Sequence, residues 1–338
     1  MMKALVTGGT GFVGGHLIRQ LREQGDTVRA LVRPTSHRSV LESLSAESVV
    51  GDLDDHDSLR RACEGCDIVY HSAARVEMVG TEEEFHRTTV AGTERLLTAA
   101  AQQGVKRFVH VSSCGVYHPK IFATGRVINE FTPTPEPPAW FPYGRAKLLA
   151  EHSVREQCPP EMEWVIIRLG YLYGPGNRAM RTHVEPAMRD STMHIIGDGQ
   201  NEMAFVYVSD AVRAVVLAGR CLEAAGKILI AGCNEWITQQ EYFDAMADGF
   251  GIPRIKKRMP YSIAFFFGWL GELLIRSGPR RTALRRAAIA LTGLPQRLRC
   301  DYTQELLNWQ PEVEFPEGIR AAFDWYREEY GRRENDSG

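Results

Sequence analysis

Short apolar runs recur through the first half of the chain: KALVT, TVRALV, SVV, DIVYH, RFVHVSS and WVIIRL. Amphipathic stretches of about 10 to 20 residues separate most of them. Regular alternation of this kind predicts a parallel sheet with helices on both faces. After Gly174 the alternation loosens, and short strands near His194–Ile196 and Lys227–Ile230 are expected among longer helices. The predicted organisation is an α/β domain over residues 1–174, drawing sheet strands from about 194–231, interleaved with a smaller, mainly helical lobe over 175–331. A polar tail at 332–338 is expected to be disordered.

One stretch breaks the amphipathic rule. YSIAFFFGWLGELLI, Tyr261 to Ile275, carries a single charge, Glu272. It is too short to cross a bilayer, which takes about 20 apolar residues. Pro260 suits its start and Gly278-Pro279 its stop, so one helix of about four turns is expected. Ile263, Phe266, Phe267, Leu270 and Leu274 are spaced to face the core of the lobe, while Ala264, Phe265 and Trp269 leave the other side apolar too. Arg254, Lys256, Lys257 and Arg258 precede it, and Arg276, Arg280, Arg281, Arg285 and Arg286 follow. The segment is therefore either buried all round or an interfacial helix that caps a pocket and touches an anionic membrane surface through residues 254–286.

Composition changes this picture little. The chain of 338 residues has a formal charge of −2, which gives no global field for nucleic acid. Seven scattered cysteines and an opening that reads as strand and turn rather than leader predict a reducing, cytoplasmic setting, with peripheral contact at the inner face of a membrane as an option. Cys63 and Cys66 are expected to be packing residues. No His pattern suggests a metal, and none is predicted.

Candidate chemistry lies at the strand ends. The first run leads into Thr7-Gly8-Gly9-Thr10-Gly11-Phe12-Val13-Gly14, followed by a helical pattern. Gly8 suits a tight turn, Gly11 a close approach to pyrophosphate, and Gly14 helix packing on the strand, so the helix N-terminus faces phosphates. The second run ends in Arg33-Pro34-Thr35-Ser36 with no acid to hold a ribose 2′-hydroxyl. Arg33, helped by Ser36 or Arg38, would instead meet a 2′-phosphate, which favours NADP(H) and leaves NAD(H) possible. Asp52 and Leu53 are expected at the adenine, and Ser72, Ala73 and Ala74 beneath the cofactor. In Tyr143-Gly144-Arg145-Ala146-Lys147 the phenol and ammonium share a helical face, where the cation would lower the tyrosine pKa. Ser113 follows a strand and offers a hydroxyl at the same sheet edge.

In combination, TGGTGFVG, GDL, HSAA, VAGT, VSSCGVY, YGRAK, RLGYLYGPG and FVYVSD resemble the extended short-chain dehydrogenase/reductases, over almost the whole chain. The resemblance implies a Rossmann-type doubly wound sheet with a C-terminal substrate lobe. It makes Ser113 the catalytic hydroxyl, Tyr143 the general acid/base and Lys147 the residue that holds the nicotinamide ribose. It also implies a homodimer through the helices around 82–103 and 143–157, with Leu96, Leu97, Leu148 and Leu149 as apolar material. Thr89 stands where the family usually has asparagine.

Within the family, Cys114-Gly115 replaces the Asp-Glu pair of the dehydratases, and Met203 stands where nucleotide-sugar epimerases tend to have arginine. IGDGQN, Ile196 to Asn201, resembles the 3β-hydroxysteroid and sterol-carboxylate dehydrogenase branch, and the strand ending in Arg33 resembles the dihydroflavonol reductases. The expected activity is interconversion of a ketone and a secondary alcohol on a bulky, apolar substrate of sterol, polyprenoid or polyketide type. Arg75, Cys114, Tyr171, Asn201 and Phe205 are the expected substrate contacts. The alternatives are a nucleotide-sugar 4-epimerase with tightly bound NAD and a dinucleotide sensor without catalysis.

Overall fold

The computed structural model describes residues 1–76, 80–232, 235–275 and 285–335. Seven strands form one sheet: β1 (Lys3–Thr7), β2 (Thr27–Val32), β3 (Glu47–Val50), β4 (Ile68–His71), β5 (Arg107–Ser113), β6 (Glu163–Leu169) and β7 (Lys227–Ala231). Each lies on a run that the pattern marks, because strands covered on both faces need apolar residues at nearly every position. The order is β7-β6-β5-β4-β1-β2-β3, and all pairings are parallel. The chain reverses direction of travel between β1 and β4, so a crevice opens at their carboxyl ends.

Successive side chains of a strand point to opposite faces, and this sorts the core into two layers. Ala4, Val6, Val109, Val111, Val165 and Ile167 meet Leu17, Ile18 and Leu21 of α1 (Phe12–Glu23) and apolar residues of the helix Val208–Arg220. Leu5, Val69, Phe108 and Ile166 meet Leu96, Leu97 and Ala100 of α2 (Gly92–Gln102) on the other face. Each fully buried Leu, Ile or Val contributes about 1.5–3 kcal/mol.

The C-terminal lobe has its own aromatic core, in which Phe205 stacks on Tyr242 at 4.4 Å and Tyr173 meets Phe315 at 5.3 Å. Its strands are two or three residues long, such as Tyr171–Tyr173 paired with Phe205–Tyr207. Pieces this short leave no period for a sequence pattern to reveal.

Three expectations are corrected. The segment 332–335 is not a loose tail, because the last helix runs Phe315–Asn335; Gly331 alone costs only about 1 kcal/mol in a helix. Leu96, Leu97 and Leu148 are spent inside the protomer, each at most 1% exposed, and offer no surface to a second copy. The helix Tyr261–Ile275 presents Ile263, Phe266, Phe267 and Leu270 to solvent rather than to the lobe core. Its inner edge is Ala264, Phe265 and Gly268, small or flat enough to let the next helix approach. Leu274 lies outside the residues whose side chains are described.

A buried ion pair ties the sheet to α3 (Pro142–Gln157). Arg168 of β6 donates from Nε and Nη2 to Glu151 at 3.0 and 2.6 Å, and Ser112 Oγ of β5 donates to the same carboxylate at 2.6 Å. Removing one charge strands the other in a dry interior. Arg168→Met is expected to lose about 3–5 kcal/mol in urea unfolding, and the double change with Glu151→Met to recover at least half of it. A single-variant loss below about 1 kcal/mol would show that water reaches the pair.

Candidate active site

The site is built where α3 begins. Pro142 occupies its first turn, and the Phe141 ring is buried at its cap. A Cβ on Gly144 would sit 2.2 Å from the Gly115 carbonyl oxygen and 2.4 Å from the Phe141 ring. One on Gly115 would come within 3.3 Å of the Tyr143 ring. These two glycines let α3 press on the turn Cys114–Val116 that follows β5.

The consequence is contact between two of the expected catalytic groups. A Cβ on Gly115 would lie 3.3 Å from both the Tyr143 ring and the Ser113 Oγ, so the two side chains are neighbours, and that Oγ accepts from the Gly115 amide at 3.0 Å. One turn on, Lys147 is 3% exposed and donates to the Val111 carbonyl oxygen at 2.7 Å. The structure thus brings Ser113, Tyr143 and Lys147 to one edge of β5, as the sequence predicts.

The electrostatics differ from expectation. Burial raises the Tyr143 pKa, and the neighbouring Ser113 hydroxyl only partly opposes it. Lys147 does not drive the phenol down, because its ammonium is held on Val111. Burial lowers Lys147 to about 8, against the pull of Glu151. As the protein stands, the pair is a neutral phenol beside an amine that titrates close to physiological pH.

A residue that the sequence did not single out supports the floor of the crevice. His71 ends β4, its Nδ1 2.7 Å from Thr7 Oγ1 and its Nε2 2.9 Å from Thr93 Oγ1. Thr93 donates its own hydrogen to the Thr89 carbonyl at 2.6 Å. His71 must therefore donate from Nε2 and accept at Nδ1, a neutral tautomer. Burial agrees, lowering its pKa to about 3. In the sequence His71 stands only as the first residue of HSAA at the end of an apolar run, which reads equally well as a strand residue.

The glycine turn has the geometry of a phosphate cradle. Gly8 has φ +72°, and a Cβ there would meet the Ala73 amide nitrogen at 2.9 Å. A Cβ on Gly14 would sit 2.1 Å from the Gly8 carbonyl oxygen, so the helix packs on the turn itself. Gly11 caps α1 in an extended conformation with no side-chain bond over the helix end, and Thr10, Phe12 and Val13 flank it. No acid occupies the first turn, so its amides are left for an anion. Ser72 Oγ donates to the Thr7 carbonyl at 2.7 Å and the Ala73 amide donates to Thr7 Oγ1 at 3.2 Å, which holds β4 against β1; Ala74 follows, half-buried.

Arg33 is exposed at the end of β2, and its carbonyl accepts from the Ser36 amide at 3.0 Å in a turn. Among the described residues neither its guanidinium nor that of the half-buried Arg38 has a partner. Asp52 is half-buried and accepts from the Asp54 amide at 3.1 Å. These residues fit a dinucleotide. Leu53 does not face the crevice as expected; it is buried in the core layer against Gly92.

The substrate-side candidates divide. Arg75 pairs with Glu84 at 3.6 Å, and its amide donates to Thr89 Oγ1. Tyr171 Oη donates to the Leu291 carbonyl at 2.7 Å, and Asn201 Nδ2 donates to Thr292 at 2.6 Å. Cys114 and Phe205 are corrections. The Cys114 thiol points to the Arg168 carbonyl, and Phe205 is locked in the aromatic core of the lobe. Cys63 and Cys66 pack as expected, and burial pushes the Cys63 thiol up to about 12. Among the described residues, no group of His, Cys, Asp and Glu is placed to hold a metal ion.

A match to the NAD dependent epimerase/dehydratase family spans residues 4–232, from β1 to just past β7. The chain belongs to this family. It is an extended short-chain dehydrogenase/reductase, an NAD(P)-dependent enzyme. It is 27% identical to the 4-hydroxy-2-methyl-3-oxo-4-farnesyl-3,4-dihydroquinoline-1-oxide ketoreductase of Stigmatella aurantiaca, over 95% of each chain. It is 27% identical to the sterol-4-alpha-carboxylate 3-dehydrogenase, decarboxylating, of Candida albicans, over 97% of this chain and 99% of that one. Among solved structures it resembles DesIV, a dTDP-glucose 4,6-dehydratase from Streptomyces venezuelae with NAD and TYD bound, with a TM-score of 0.76, 26% identity and 98% of each chain covered.

The buried lysine makes a prediction with a definite sign. Its folded pKa lies below the unfolded value, so the cost of burying the ammonium is complete below about 8 and fades as pH rises to about 10.5. Lys147→Met is expected to be more stable than the parent by about 1–2 kcal/mol at pH 7, after allowing for the unpaired Val111 carbonyl. That advantage should vanish near pH 10.5, and turnover should be lost. A variant less stable than the parent at pH 7 would contradict the burial argument.

Proposed function

We propose that the protein interconverts a ketone and a secondary alcohol on a bulky, largely apolar substrate, with Ser113, Tyr143 and Lys147 as its working groups and NADP(H) favoured over NAD(H). The observation that carries this reading is the meeting of the Ser113 hydroxyl and the Tyr143 ring at the crevice edge, each 3.3 Å from where a Cβ on Gly115 would lie, with apolar side chains built over them. Trp140, three residues before Tyr143, packs with Phe141, Ala287, Leu291 and Tyr171. A substrate oxygen reaching Tyr143 from this side meets rings and aliphatic groups, and the guanidinium that lies over Trp140, that of Arg286, is already neutralised by Glu272.

The nicotinamide cofactor would supply the hydride chemistry, held by Gly8, Gly11 and Gly14 at its pyrophosphate and by Arg33, Ser36 and Arg38 at its adenosine end. The Tyr143 hydroxyl donates its proton to the carbonyl oxygen, and Ser113 donates a hydrogen bond to the same atom, so developing negative charge meets two fixed donors. In the oxidative direction Tyr143 accepts that proton. Lys147, charged below about 8, would hold the nicotinamide ribose. Both named relatives act, by their names, on molecules with large hydrocarbon parts.

The epimerase reading finds no support at the position where its cation belongs. Met203 is there, buried in the lobe core at 3% exposure.

Tyr143→Phe keeps the ring and its contact with Gly115 while removing the donor. Turnover of a ketone panel with NADPH or NADH is expected to fall by about 10² to 10⁴, with cofactor affinity unchanged; undiminished turnover would refute the assignment. Arg33→Ala is expected to weaken NADPH binding by about 1.5–3 kcal/mol and leave NADH nearly untouched. Equal losses for both cofactors, or a parent that prefers NADH, would overturn the NADP reading.

A further inference from the structure

The helix Tyr261–Ile275, here α4, hides one edge and shows the rest. Phe265 stacks on Tyr261 at 5.7 Å and meets Trp140 edge-on at 5.3 Å. A Cβ on Gly268 would lie 2.7 Å from Ile289 Cδ1 and 2.9 Å from the Arg286 amide, so the next helix, Arg286–Gly293, touches backbone there. Glu272 accepts from the Arg286 amide at 2.9 Å and from its guanidinium at 2.8 and 2.6 Å. That guanidinium lies over both Trp140 and Phe265, at 5.4 and 5.9 Å. The inner edge of α4 is thus fastened to the residue that leads into the start of α3, next to Tyr143.

The outer side has no such partners. Ile263, Phe266, Phe267, Trp269, Leu270 and Leu273 are each 37–53% exposed, six large apolar side chains on four turns. A surface helix facing only water would be polar on this side, and contiguous apolar surface marks an interaction site. The chain around it says which kind. Lys256, Lys257 and Arg258 stand exposed just before the helix, and among the described residues none of them is paired with a carboxylate. Arg254 is already taken by Asp244 and Asp248. In sequence, Arg276, Arg280 and Arg281 follow directly. A second copy meeting this face across a two-fold axis would bring like charges together. An apolar strip preceded by cations that, among the described residues, no carboxylate neutralises instead matches acyl chains lying under anionic headgroups. Among those residues Lys257 and Arg258 bond only neutral oxygens, the carbonyls of Ser191 and Asp198 and the side-chain amide of Gln240.

We propose that the outer face of α4, Ile263 to Leu273, docks on an anionic lipid bilayer, with Lys256, Lys257 and Arg258 among the headgroups. Docking there puts the Trp140 wall, and through it Tyr143, at the lipid surface, so an apolar substrate passes from the bilayer to the site without crossing water. The docking claim stands on the exposed face and its charges; only the delivery of substrate rests on the proposed ketone reductase activity.

The full chain is sedimented with vesicles of phosphatidylcholine, with and without phosphatidylglycerol, at low and high salt. Binding is expected with the anionic vesicles, weakening as salt rises. Phe266→Ser/Trp269→Ser should weaken it at least about tenfold, as should Lys256→Glu/Lys257→Glu by the independent route of charge. Both variants should keep the parent's turnover on a water-soluble ketone without vesicles, which separates failure of docking from failure of the activity. A protein that stays in the supernatant with anionic vesicles at low salt overturns the proposal. So does equal binding to neutral vesicles, or a dimer in sedimentation velocity that the Phe266→Ser/Trp269→Ser change converts to monomer.

Discussion

The chemistry of this protein depends on the seam where α3 meets the turn after β5. Gly144 lies against the carbonyl of Gly115 at a spacing that would leave a Cβ 2.2 Å from oxygen. No side chain, however small, fits there without moving one element. Because the elements cannot separate, the ring of Tyr143 lies on Gly115 beside the Ser113 hydroxyl. The Arg168–Glu151 pair and Ser112 hold the same helix two turns further along, so α3 is fixed at its start by contact and along its length by charge. Preorganised donors act only if they do not move when charge develops, and this double attachment supplies that rigidity.

The same burial sets the protonation states. Desolvation keeps Tyr143 a phenol and His71 a neutral imidazole, and brings Lys147 to about 8. A phenol that stays protonated suits the reductive direction, in which a proton must be given. A lysine whose pKa lies near physiological pH responds to any anion brought close to it, so a bound dinucleotide would raise that pKa and hold the ammonium charged to higher pH. The stability lost by burying that ammonium is the cost of a group that can be switched by its ligand.

Much of this was legible in the sequence. KALVT, RFVHVSS and WVIIRL lie on β1, β5 and β6, because a strand buried on both faces leaves an unbroken apolar run. The glycine spacing and Tyr143/Lys147 were legible because turn geometry and helical period are local. What was not legible depends on tertiary contact. Phe265 and Phe266 are neighbours of one chemical type on a helix that is apolar all round, and only the neighbour at Trp140 decides which is covered. Leu53 and Phe205 are apolar residues beside a candidate site, and the core claimed them first. Lys147 shares a face with Tyr143 in sequence, yet its nearest acceptor is a carbonyl of β5 that no spacing rule locates.

Hydride and proton are to be delivered to one carbonyl at the Ser113–Tyr143 edge. The measurement that tests this delivery most directly follows the hydride itself: turnover of a ketone panel with cofactor deuterated at the transferable nicotinamide position, the products read by mass spectrometry. One deuterium is expected in the alcohol for each cofactor consumed. Unconsumed cofactor with a substrate whose stereochemistry alone has changed, or an alcohol without the label, would contradict it.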